Sequence, residues 1–190
     1  MEILEIIQTV VAVLKIIETA IQVLGPVIQK IGQELGLISQ DATCEDLGAR
    51  AFNAEEAGIV PENFASFEAY LAEIKKFPPE TSKPLEETLK KGSELILGLI
   101  AEKFPELELG VFEKFAELPE LVTEQWASDV GKLLKLGVVT TSAISDFFLG
   151  KPMADTDRYN VINALLEIEK KNNPEISDSE AMEKITKVRN

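Results

Sequence analysis

The sequence predicts an all-α protein, an irregular bundle of about eight or nine helices around a long apolar N-terminal helix. Three observations carry that prediction. Apolar residues recur at spacings of three and four in one segment after another, the period of a helix with one buried face. Most of those segments open on a Ser, Thr or Asp and close on Gly or Pro. Strand signals are nearly missing: Val138-Val139-Thr140-Thr141 is the only β-branched cluster, and no useful stretch alternates apolar with polar.

The first element is the most unusual. Ile3 to Ile38 is dominated by Ile, Leu and Val, and Thr19 to Gln29 runs eleven residues without a charge. Gln8, Lys15, Gln22 and Gln29 recur every seven residues, which gives a helix a narrow polar stripe and a wide apolar face. Gly25-Pro26 should break or kink it. Its expected cover is the core of its own chain, with a second copy or lipid as the alternatives. Glu5, Lys15, Glu18, Lys30 and Glu34 interrupt it too often for a membrane span, which needs about 20 predominantly apolar residues. An acidic second residue and the lack of a small-residue cleavage site argue against a secretory signal, so a cytoplasmic location is expected.

Shorter helices follow. Thr43 caps one that ends near Gly58. Ser66 caps the next, with Phe67, Tyr70, Leu71, Ile74 and Phe77 on one face and Pro78-Pro79 as its stop. A third runs from near Ser82 to Phe104, with Gly92 and Gly98 inside it, either as close helix contacts or as tolerated weak points costing about 1 kcal/mol each. A short helix spans Val111 to Leu118. Pro119 suits the first turn of the next, which places Leu121, Val122, Trp126, Val130, Leu133 and Leu134 on one face and closes at Gly137. Another runs from about Thr141 to Leu149. Asp155 or Thr156 caps the one after, which stops at Asn172-Asn173-Pro174. A Ser177–Glu180 capping box opens the last. The whole chain, 1–190, is expected to form a single helical domain, with 1–38 as the apolar segment and 39–190 as the shorter-helix bundle.

The composition narrows the chemistry. The 190 residues are 45% apolar and 27% charged, the balance of a globular chain. There is no histidine and one cysteine, which removes the usual triads, histidine metal sites, zinc–thiolate sites and any intrachain disulfide. Asp155-Thr156-Asp157 starts like a calcium loop, but nothing after it supplies the remaining ligands. Cys44 sits at a helix start, yet Glu45 and Asp46 follow it and no histidine can serve as its base, so an inert thiol is expected. Glu55-Glu56 and Glu86-Glu87 are adjacent pairs, which do not face each other on a helix. No glycine-rich phosphate loop is present. The expectation is a protein that is not an enzyme and carries no metal or cofactor.

The net charge of −14 argues against nucleic-acid binding. It is also uneven. Residues 1–40 carry four acids and two bases, residues 41–130 twenty acids and eight bases, and residues 131–190 nine of each. The acidity therefore belongs to the middle of the chain. Three function classes fit. The first is a non-catalytic protein-interaction module whose acidic middle meets a basic protein partner, in the manner of a bacterial immunity protein, an inhibitor or a secretion accessory. The second is a membrane-surface or membrane-inserting protein using the N-terminal helix, which the scarcity of cations on that helix disfavours. The third is a self-assembling component with that helix in a homo-oligomer core. For the first class, the expected partner surface is the short helix near Val111: Glu106, Glu108, Glu113 and Glu117 as the acids, with Phe112 and Phe115 as exposed aromatic anchors. Phe64, Phe67 and Tyr70 are further aromatic candidates, of which Phe67 and Tyr70 share a face with Leu71 and Ile74 and read as core.

Overall fold

The long apolar segment folds as a helical rod of 32 residues. In the computed structural model, which describes residues 2–189, α1 (Ile3–Ile17) and α2 (Ile21–Glu34) run on through a 3-10 turn at Glu18–Ala20. The expected break at Pro26 is not there. Pro26 lies inside α2, and the irregularity falls earlier, where Ile17 (φ −94°, ψ −2°) and Ala20 (φ −104°, ψ 10°) leave ideal helical values. A proline ring crowds the carbonyl four residues before it, here that of Gln22, so α2 accommodates Pro26 and the turn at Glu18–Ala20 lies upstream of its reach.

Eight further helices follow: α3 (Cys44–Glu56), α4 (Phe67–Ile74), α5 (Leu85–Lys103), α6 (Gly110–Ala116), α7 (Glu124–Leu136), α8 (Thr141–Phe148), α9 (Asp155–Asn172) and α10 (Asp178–Arg189). Counting α1–α2 as one rod, the described residues form nine rods and no strand. The punctuation works largely as the residues suggest. Thr43, Ser66, Thr123 and Thr140 each accept a hydrogen bond from the backbone N–H three residues on. Ser177 and Glu180 exchange backbone-to-side-chain bonds as a capping box. Gly137 closes α7 with φ +70°, a left-handed turn that a side chain would strain.

Three starts differ from expectation. Helix α9 begins at Asp155 behind Ala154 with no side-chain cap, so neither Asp155 nor Thr156 caps it. Helix α7 begins at Glu124 behind the Thr123 cap, so Pro119 lies in the preceding turn. Helix α5 begins at Leu85, because Pro84 (ψ 152°) is still extended.

One apolar core draws side chains from every helix, from Ile6 to Val188. Helix α5 is its axis: from Leu95 to Ala101 every residue is buried. The α1–α2 rod, α3 and α4 pack around α5, and α7 packs against α2. Helices α3 and α5 approach unusually closely. A Cβ on Gly48 would lie 1.9 Å from the Thr88 carbonyl oxygen, and one on Gly92 would lie 1.8 Å from the Cys44 carbonyl oxygen. Gly92 is therefore required by the crossing. Gly98 also makes room, for the ring of Phe67.

Candidate interaction surface

The segment after α5 buries the aromatics that the sequence suggested were exposed. Phe112 and Phe115 are 1% and 2% accessible. Val111, Phe112 and Phe115 share the inner face of α6, and the two phenylalanine rings join an edge-to-face cluster. Phe115 lies 5.6 Å from Phe112, 5.2 Å from Trp126 and 5.0 Å from Phe148, centroid to centroid. Neither ring can anchor a partner without unfolding α6. The acids of this segment stay at the surface, but two are already engaged. Glu108 pairs with Lys151, and Glu117 lies 3.9 Å from Lys114. Glu106 accepts a hydrogen bond from the Thr141 hydroxyl at 3.4 Å, and Glu113 is half-buried. Of the other aromatics, Phe67 and Tyr70 are core, and Phe64 is half-buried against it.

A less neutralised acidic face lies elsewhere, on and around α3. Residues 41–62 hold six acids and one base. The base, Arg50, does not neutralise them, because its guanidinium donates to the carbonyls of Lys75 (3.0 Å) and Phe77. Glu55 pairs with Lys91 at 2.8 Å. Asp41, Glu45, Asp46, Glu56 and Glu62 are exposed, and among the described residues none of them makes an ion pair.

The scaffold beneath this face is rigid. Cys44, the first residue of α3, is fully buried; its thiol contacts the Leu89 carbonyl (3.2 Å) and the Ser93 hydroxyl (3.3 Å). Burial pushes that thiol up to about 12, which removes it as a nucleophile at neutral pH. Asn53 donates to the carbonyls of Pro78 (2.8 Å) and Glu80 (2.9 Å), so Arg50 and Asn53 together hold the connection from α4 to α5 along one side of α3. Two more carboxylates are committed to structure. Glu102 on α5 accepts from the Phe67 and Glu68 N–H groups at the start of α4, at 2.9 and 3.2 Å. Asp129 is buried on α7 and receives Lys171 (2.7 Å), Gln125 (3.3 Å) and Asn172 (3.3 Å). Burial opposes the Asp129 charge, but those partners outweigh it and hold the carboxyl below its usual range. Glu94 is the reverse case: burial, with Glu62 and Glu55 nearby, pushes its carboxyl up.

A second surface feature is the outer side of the rod. Leu4 (54% accessible), Val11, Ile16 (60%) and Val23 face water, between Glu5, Gln8, Lys15 and Gln22. Contrary to the expectation from its scattered charges, the rod is long and apolar enough to cross a membrane by length and composition alone, a test that the core helix of a bundle also passes. Less than half of its most apolar stretch is buried in the fold. The grooves are open rather than enclosed. Two of them, of about 510 and 480 Å³, lie between α4 and the end of α5 and between the Glu117–Leu121 turn and α10. No group of three or more Cys, Asp or Glu among the described residues is placed to hold a metal ion. No family model, curated protein or solved structure matches the chain.

Proposed function

We propose that the protein is a non-catalytic interaction module that presents the outer face of α3 to a basic protein partner, as an immunity protein, inhibitor or secretion accessory would. The observation that carries this reading is the set of five exposed, unpaired carboxylates, Asp41, Glu45, Asp46, Glu56 and Glu62, on and around a helix locked to the core by its other side. Such a field accelerates encounter with a cationic surface more than it tightens the final complex. Zero-length carbodiimide cross-linking in extracts of the source cells tests it. Peptides bearing Glu45, Asp46 or Glu56 should join to lysines of one basic protein, and less so as salt rises. Cross-links confined to the carboxylates around α6 would overturn the assignment.

A second reading rests on Leu4, Val11, Ile16 and Val23. In it the outer face of the rod is covered by a second copy or by lipid. Sedimentation at several concentrations and liposome flotation, each repeated with Ile16→Glu, separate these covers from a monomer in water.

A further inference from the structure

The chain has nine phenylalanines, and Phe52 is the odd one. Five are core: Phe67, Phe112, Phe115, Phe147 and Phe148. Three more, Phe64, Phe77 and Phe104, pack against it half-buried. Phe52 is half-buried without packing against the apolar core, and it pairs with no other ring among the described residues. Its neighbours are cations. The Lys91 ammonium lies 5.5 Å from the ring centroid and the Lys83 ammonium 5.4 Å. The two differ in how firmly they are held. Lys91 is mostly buried on α5 and tied to Glu55, whereas Lys83 is exposed on the α4–α5 connection and makes no ion pair among the described residues.

Helix geometry sets what surrounds the ring. Glu45, Phe52 and Glu56 are spaced seven and four apart, so they share one stripe of α3. Both carboxylates are exposed and unpaired. An aromatic face that already draws two ammonium groups, beside carboxylates that make no ion pair, is a receptor for a cation, and a planar guanidinium fits it better than an ammonium because it stacks as well as attracts.

We propose that Phe52 is the specificity point of the α3 face: an arginine of a basic segment of the partner protein stacks on the ring in place of Lys83, with Glu45 and Glu56 receiving the flanking positive charge. Lys83 is then an intramolecular stand-in that holds the site in the free protein. This inference rests on the reading of α3 as the partner face.

The test uses the full chain and two peptides of equal length and charge, one alternating Gly with Arg and the other Gly with Lys, titrated at low salt and followed by amide chemical shifts. The arginine peptide should bind more tightly than the lysine one, with the largest shifts on α3. Phe52→Leu should weaken it by about three- to tenfold and erase the preference for arginine. Lys83→Ala should tighten it a few-fold, whereas Lys135→Ala, the same change in net charge on exposed α7, should leave it within about twofold. Since Phe52 is outside the core, unchanged melting of Phe52→Leu separates loss of binding from loss of fold. If Phe52→Leu and Lys83→Ala bind like the parent while reversal of Glu45, Asp46 and Glu56 to lysine abolishes binding, the face stands and the role of Phe52 is refuted. If the parent binds neither peptide, both readings fall.

Discussion

Helices α3 and α6 each set phenylalanine among nearby acids, and the fold treats them oppositely. Helix α6 turns Phe112 and Phe115 into an aromatic cluster, and the flanking Glu117 and Glu108 lie beside Lys114 and Lys151. Helix α3 turns mostly small residues inward, Cys44, Gly48, Ala51 and Ala54 beside Leu47, and leaves Phe52 outside with unpaired carboxylates. The difference lies in what each helix must bury. A helix pressed to backbone contact is seated by small residues and a single large one, Leu47, so its aromatic residue is free for the surface. A short helix with few turns has only its large rings to hold it down, and it commits them to the core.

Substitutions can break or sharpen that contrast. Phe115→Ala removes the centre of the aromatic cluster and should cost about 3–5 kcal/mol, while Phe52→Ala should cost about 0.5–1 kcal/mol. Denaturant titration of the two variants measures both; equal costs would erase the distinction. Gly48→Ala forces a methyl group into the Thr88 carbonyl and should cost about 3 kcal/mol, at the upper end for overpacking, since the obstacle is backbone. A Gly48→Ala protein that melts like the parent would show that α3 is less firmly seated. Asp129→Ala, away from both helices, removes a buried carboxylate whose partners Lys171, Gln125 and Asn172 are exposed and return to water, so it should cost only about 0.5–1.5 kcal/mol.

The carboxyls of Asp129 and Glu94 give opposite pH signatures. Asp129 is held below its unfolded value, so its contribution is present above that value and is lost as pH falls through the folded one. Glu94 is held above its unfolded value, so the folded state is penalised at neutral pH and relieved as pH falls toward the ordinary glutamate range. Glu94→Gln should therefore raise the melting temperature at pH 7, with the gain shrinking toward about pH 4. A constant difference across that range would show that Glu94 does not titrate out of step with the unfolded chain.

Much of the fold was legible in the sequence, because caps and stops are local chemistry. Thr43, Ser66 and Gly137 mark helix ends from their own residue types, and Ser177–Glu180 marks a start. The rod was legible as apolar, but its irregular turn was not: Gly25-Pro26 marked a break, whereas the turn falls at Glu18–Ala20. The partner surface was not legible. Charge counts locate acids but not their lysines: Glu108 meets Lys151 across 43 residues, and no short window shows that. Nor does aromatic spacing reveal which way a short helix turns. One signal does stand in the sequence: residues 41–62 set six acids against a single arginine.

The contrast between the two helices comes down to association kinetics. With the basic partner recovered by cross-linking in hand, its association rate would be measured across a salt series. The comparison is between a variant reversing Glu45, Asp46, Glu56 and Glu62 to lysine and one reversing Glu106, Glu108, Glu113 and Glu117. Exposed charge pairs are worth only about 0.2–1 kcal/mol each, so neither set should unfold the protein, and melting curves check that. The α3 reversal should slow association steeply at low salt and flatten its salt dependence, while the α6 reversal leaves both near the parent. The opposite pattern, with α6 controlling the rate and α3 silent, would contradict the assignment of α3 as the partner face.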